Sequence, residues 1–176
     1  MRRSPAKELI LLRHAKSSWK NPLLHDIDRP LNRRGQRSAI RLAKWVSAVR
    51  FRPDMVLCSP AARTRETLDY LRETLGGPET LYERALYLAS AKRLLERLRE
   101  LPATARSVLL IGHNPGLRKL VLQLIADRAP EARARIKVKF PTAACARFTI
   151  NAKDWRKLDS DTARLIDYVC PRDLET

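Results

Sequence analysis

Cysteine, histidine and glycine are all scarce in this chain of 176 residues, with three, three and five copies. Cys58, Cys145 and Cys170 lie far apart and form no CxxC pair, which argues against a disulfide framework and against a zinc cluster. Isolated thiols in odd number suit a reducing compartment. Aromatic residues are only 6% of the sequence, poor provision for stacking nucleic-acid bases. No apolar run approaches the ~20 residues of a membrane span. Arg2, Arg3 and Lys7 make the N-terminal stretch basic, but the apolar run that follows is too short for a secretory signal. No Gly/Ser linker, internal repeat or low-complexity segment interrupts the chain. One domain over residues 1–176, cytoplasmic and without a membrane span, is therefore expected.

Positive charge is what the sequence has in excess: 36 Lys and Arg against 19 Asp and Glu, a formal charge of +17. The excess is spread over 33–52, 92–99 and 118–139 rather than gathered in a block. Nucleic acid is accordingly not the expected partner, whereas a diffuse positive field speeds encounter with acidic or phosphorylated ones.

Three short apolar runs punctuate the chain: Leu9–Leu12, Met55–Cys58 and Val108–Ile111. Runs of this length suit strands buried on both faces of a parallel sheet. Between them the spacing predicts helices. Ala39, Leu42, Ala43, Val46 and Val49 mark one; Ser59-Pro60 opens a second that Gly76-Gly77-Pro78 stops. Leu94, Leu95, Leu98 and Leu101 mark a third, and Asn114-Pro115 opens a fourth through about Ala126. Alternation over 136–140 and 144–150, with a further apolar stretch near 165–169, predicts C-terminal strands. Strands alternating with helices imply an α/β sheet covered on both sides, with ligands beyond the carboxyl ends of the strands.

That rule singles out His14 and His113, each just past the end of a predicted core strand. Arg13 adjoins the first, and Arg63 falls in the first turn after the remaining strand. Arginine presents a planar fork matched to phosphate oxygens, and helix N-termini at the same end add N–H donors. Neighbouring guanidinium charges disfavour imidazolium, so one His stays neutral and nucleophilic while the second, protonated, stabilises phosphoryl charge. Covalent phosphoryl transfer through a phosphohistidine, without metal or cofactor, is the chemistry such a group can perform.

At these residues the sequence resembles the histidine phosphatase superfamily. LLRHAKSSW at 11–19 resembles its first signature, with Ala15 where much of the superfamily has Gly; SPAARTRET at 59–67 and IGHNPGL at 111–117 resemble the elements carrying the second arginine and second histidine. DIDRPLNRRG at 26–35 and PTAACARF at 141–148 further resemble the SixA-type phosphohistidine phosphatase branch. The resemblance implies a three-layer α/β/α sandwich with a mostly parallel central sheet, as in phosphoglycerate mutases. It implies His14 as nucleophile, His113 as its partner, and Arg13 and Arg63 as the grip on the phosphoryl group. The implied substrate is phosphohistidine on a protein of phosphorelay or phosphotransferase type.

Several roles stay open at this level. Glu83, Asp26 and Asp28 are candidate general acids; Ser17 is a candidate phosphate donor, and Asp28 with Arg29 a candidate brace for the catalytic loop. His25 and Arg65 read as solvated residues, and Trp19 as a wall or rim of the pocket. Two other functions use the same residues. One is a phosphatase of a small phosphorylated metabolite; the other is a non-catalytic module binding phosphate or another polyanion. The oligomeric state is not encoded legibly, and a monomer is compatible with everything above.

Overall fold

The computed structural model describes residues 6–174; Arg2 and Arg3 of the basic N-terminal stretch lie outside the described residues. Six strands form one sheet: β1 (Lys7–Arg13), β2 (Met55–Cys58), β3 (Glu79–Tyr82), β4 (Ser107–Gly112), β5 (Cys145–Ile150) and β6 (Ala163–Val169), in the order β3-β2-β4-β1-β5-β6. The first four positions in that order run parallel, whereas β5 and β6 pair antiparallel. Among the described residues five α-helices cover it: α1 (Arg33–Ala48), α2 (Ala62–Leu75), α3 (Ala91–Arg99), α4 (Gly116–Ile125) and α5 (Pro130–Val138).

The central strands explain the two helical layers. Successive side chains on a strand point to opposite faces, so Leu9, Leu11, Leu57, Val108 and Leu110 pack toward α3, α4 and α5. Their neighbours Ile10, Leu12, Val56, Leu109 and Ile111 pack toward α1 and α2. Continuous apolar runs are what a strand buried on both faces needs, and this is the expected three-layer α/β/α sandwich with a mostly parallel sheet. Among the described residues no helix is long and apolar enough to cross a membrane. The three cysteines are free and buried.

Glycine is used where backbones touch. A Cβ at Gly35, in the first turn of α1, would lie 2.1 Å from the Lys16 carbonyl oxygen, and one at Gly116, the first residue of α4, 1.9 Å from that of Ala89. Both helices can therefore seat their N-termini directly against the loops at the carboxyl edge of the sheet.

Three sequence expectations need correction. Residues 136–138 close α5 instead of forming a strand: Ile136 is fully buried while Val138 is 85% exposed, whereas alternation would put both on one face. Pro130 at the first helical turn starts that helix and overrides the short period-two pattern. The edge strand β3 was not anticipated, because its residues are only partly buried and carry little apolar signal. Neither Ser59 nor Asn114 caps a helix: α2 begins at Ala62 with Ala61 at its cap, and α4 follows Pro115, across a cis Asn114–Pro115 bond. Both side chains are engaged elsewhere, in the site described next.

Candidate active site

Register brings the two histidines together. In the β1–β4 ladder Arg13 pairs with Gly112, so the next residues, His14 and His113, leave adjacent strands at the same level. Their ring centroids are 5.2 Å apart. On the other side of β4, Cys58 pairs with Ile111, which delivers Ser59 to the same edge. The first turns of α2 then carry Arg63 over the pair. Histidines 99 positions apart in sequence become neighbours because β4 inserts between β1 and β2.

The loop after β1 is clasped from several sides. The Ala143 N–H donates to the carbonyls of Arg13 (3.1 Å) and His14 (3.0 Å), and the Arg13 N–H donates to Ala144 O at 3.0 Å. Ala143 adopts a left-handed backbone at φ 60° to do so. The Ala15 N–H donates to Thr67 Oγ1 at 2.9 Å, and the Thr67 hydroxyl donates to Arg63 O at 2.6 Å, tying the loop to α2. Residue 15 is fully buried, and its side chain packs with Leu31, Ala39 and Ala143, so an alanine is accommodated there.

Hydrogen bonding fixes the tautomer of His14. Its Nδ1 lies 2.7 Å from the Ala15 carbonyl oxygen, which only accepts, so Nδ1 carries the proton and Nε2 holds the lone pair. Arg63 Nε donates to that Nε2 at 3.3 Å. His113 is held in a complementary way. Its Nε2 lies 2.7 Å from Ser59 Oγ, and its Nδ1 accepts from Arg63 Nη2 at 3.3 Å. Burial first, then for His14 the neighbouring His113, and for both the charges of Arg63 and Arg13, hold the imidazoles down at about 3, against the opposing pull of the Ala15 carbonyl on His14 and of Asp26 on His113. Both are neutral near pH 7 in this state. His113 thus departs from the expected imidazolium; a phosphoryl anion between the arginines would supply the charge that favours its protonation.

The arginines are arranged to receive an anion. Arg13 donates through Nη1 to Phe140 O at 3.0 Å, but its buried Nε has no partner. Burial and the neighbouring Arg63 charge press the Arg13 guanidinium below its ordinary value, a penalty that a bound anion reverses. Arg63 is oriented by Asp26, whose backbone oxygen accepts from Nη1 at 2.6 Å and whose Oδ2 accepts from Nη2 at 3.0 Å. The cleft so formed has a volume of about 400 Å3.

His14, His113, Arg13, Arg63, Ser17 and Asp26 all line this cleft, with Trp19, Arg29 and Asn114 among its other walls. Glu83 and Asp28 do not. Glu83 is engaged by Arg97 Nε and Nη2 at 2.7–3.1 Å on the side of α3, which gives it a structural partner in place of a leaving group. Asp28 is exposed, and the bracing assigned to it belongs to Asp26, two residues earlier. Asp26 accepts from Arg63, from Arg29 Nε and Nη2, and from the Tyr87 hydroxyl at 2.5 Å. Partial burial opposes ionisation, but the hydrogen bonds from Tyr87, Arg29 and Arg63 outweigh it and hold the Asp26 carboxyl well below the usual carboxylate range. An acid so strong does not protonate a leaving group near neutrality. Ser17 accepts from Arg29 Nη1 at 2.7 Å, and Arg29 stacks under the exposed Trp19 at 3.5 Å, so Trp19 forms the outer lip over two buried residues.

Sequence reading missed Ser59, Thr67, Tyr87 and Asn114. Ser59 follows its strand as His113 follows β4, a parallel that could have flagged it. The Asn114 side chain donates through Nδ2 to Phe140 O at 2.8 Å, and its buried Oδ1 is unpaired. Tyr87 stands edge-on to His113 with centroids 5.4 Å apart, and nothing local in the sequence points to it. His25 and Arg65 are exposed, as expected.

Comparison with known proteins bears on the family and the fold. Residues 9–87 match the model of the histidine phosphatase superfamily (branch 1), a span that includes His14, Asp26, Arg63 and Tyr87 but not His113. An uncharacterized protein of Mycobacterium tuberculosis is 32% identical over 163 residues, covering 92% of this chain and 100% of the relative. A proposed phosphohistidine phosphatase SixA from Agrobacterium tumefaciens superposes with a TM-score of 0.81 at 30% identity, covering 96% of this chain and 100% of the other. Its counterpart from Nakamurella gives 0.82 at 28%, covering 96% and 98%.

Proposed function

The chain belongs to the histidine phosphatase superfamily, and from that premise we propose that residues 1–176 act as one catalytic domain, a metal-independent phosphatase of phosphohistidine on a protein. The observation that carries this reading is the fixed tautomer of His14, whose Nε2 lone pair faces Arg63 in the cleft that Arg13 also lines. In the first step that lone pair forms a bond to phosphorus while the bond from phosphorus to the substrate imidazole nitrogen breaks. The leaving nitrogen departs as neutral imidazole when the substrate ring is protonated, which removes the need for a strong general acid. In the second step water adds to phosphorus as the bond from phosphorus to His14 Nε2 breaks; the phosphate leaves carrying the water's protons, one of which it gives up to solvent, and His14 regains its Nε2 lone pair.

Arg13 and Arg63 spread charge over the phosphoryl oxygens in both steps. His113, protonated once the anion is bound, keeps its Nε2–H on Ser59 Oγ and turns Nδ1–H to a phosphoryl oxygen. Ser17 and Asp26 act through Arg29 and Arg63 rather than on the substrate. Three free, buried thiols suit a cytoplasmic setting.

The direct test is phosphate release, with EDTA present, from a phosphohistidine protein and from a panel of small phosphomonoesters. The phosphohistidine protein is expected to be the better substrate by kcat/KM. Turnover of the monoesters alone would move the assignment to a small-metabolite phosphatase. Binding of phosphate without turnover of any substrate would leave a non-catalytic module.

A further inference from the structure

Beside the catalytic cleft lies a second depression of about 670 Å3 that the reaction above leaves unused. It runs from the N-terminal turn of α1 to the end of α5 and the end of β6, and it shares Arg13, Lys16 and Thr142 with the catalytic cleft. Among the described residues six cations line it, Arg13, Lys16, Arg34, Arg135, Lys139 and Arg172, and no Asp or Glu does. Asp173, outside the lining, pairs with Arg135 at 2.7 Å and with Arg172 at 4.0 Å. Among the described residues, Lys16, Arg34 and Lys139 take part in no ion pair.

We propose that this groove docks an acidic segment of the phosphoprotein beside its phosphohistidine, an inference that rests on the reading of the site as a phosphohistidine phosphatase. Like charges crowded without counter-charge are costly unless an anion completes them. A single phosphoryl group is already matched by Arg13 and Arg63, so the remaining cations call for further anions on the same ligand. The shared wall means that a chain leaving the catalytic cleft enters the groove directly. Apolar side chains flank both openings: Trp19 and Leu88, 76% and 53% exposed, at the cleft, and Val138, 85% exposed, at the groove. Cations ringed by exposed apolar groups fit a protein surface, which presents carboxylates and apolar side chains together, better than a compact metabolite.

The test uses two phosphohistidine peptides that differ only in three flanking residues, Glu in one and Gln in the other. They are assayed at low salt with the full chain and with its Arg34→Glu/Lys139→Glu variant. Neither position lines the catalytic cleft, both side chains are exposed, and Glu in the first turn of a helix is favourable. The wild type is expected to prefer the acidic peptide by at least tenfold in kcat/KM, carried mainly by KM and eroded by added salt. The variant should treat the two peptides within about twofold while keeping its rate on p-nitrophenyl phosphate, which also reports that it is folded. Equal handling of both peptides by the wild type would overturn the docking groove and leave the catalytic reading intact. Hydrolysis of p-nitrophenyl phosphate with neither peptide turned over would overturn both. A variant defect confined to a small bisphosphate would reassign the groove to a second phosphate and overturn the docking reading.

Discussion

Asp26 holds Arg63 twice, by its backbone oxygen at 2.6 Å and by its carboxylate at 3.0 Å, and thereby sets the guanidinium against both His14 and His113. Asp26 is a positioning residue: Asp26→Asn keeps the shape and the backbone contact but removes the charge that Arg63, Arg29 and Tyr87 share. The expected result is a fall in kcat of about 10- to 100-fold with a smaller change in KM, since misplacement by about 1 Å costs on that scale. Tyr87→Phe, which removes one bond to the same carboxylate, should reproduce a weaker version. Unchanged kcat in Asp26→Asn would remove Asp26 from the site's machinery.

His14→Ala should abolish turnover, a fall of roughly three orders of magnitude or more, while circular dichroism and thermal unfolding stay close to wild type. The phosphoenzyme trapped by rapid quench should be labile to acid and stable to alkali, as a phosphoramidate is. An alkali-labile adduct would place the phosphoryl group on another residue.

Arg63→Lys retains a positive charge and loses the fork. Lysine cannot reach His14, His113 and Asp26 together, so kcat should fall by about 10²- to 10³-fold, the scale for losing one preorganised donor. Rescue of activity by exogenous guanidinium in Arg63→Ala would attribute the loss to the fork itself.

Both cleft histidines are held at about 3, below the ordinary 6.5. The unfolded chain therefore binds more protons than the folded one between pH 6.5 and about 3, and stability falls as pH drops through that window. Each histidine contributes at most about 1.4 kcal/mol per pH unit there. Urea titrations of His14→Gln/His113→Gln across this range should show a shallower acid loss than wild type. A catalytic consequence follows too. The free-enzyme profile of kcat/KM should lack an acid limb near 6.5 from His14, because its Nε2 stays unprotonated down to about pH 3.

Gly35→Ala places a methyl group 2.1 Å from the Lys16 carbonyl, backbone against backbone. The clash must push α1 from the catalytic loop, so both stability and activity should drop, by about 1–3 kcal/mol in ΔG of unfolding. Wild-type melting and kcat together would mean that the contact is slack.

The chain itself determined the layered α/β architecture and four residues of the cleft. Apolar runs at 9–12, 55–58 and 108–111 can satisfy themselves only as strands covered on both faces, and His14, Arg63 and His113 were legible because each follows such a run. Period-two alternation misled at 136–138, where a proline-started helix overrode a five-residue pattern, and the half-exposed β3 carried too little apolar signal to be seen. Tertiary structure decided what spacing cannot express. It placed Asp26 rather than Asp28 on Arg63 and spent Glu83 on Arg97. It set Ser59 behind His113, and it turned a diffuse excess of cations into one lined groove beside the cleft. Strand burial is a local property that a run of side chains announces. Hydrogen-bond partners 37 or 54 positions apart are chosen only when the sheet fixes which strand ends lie side by side.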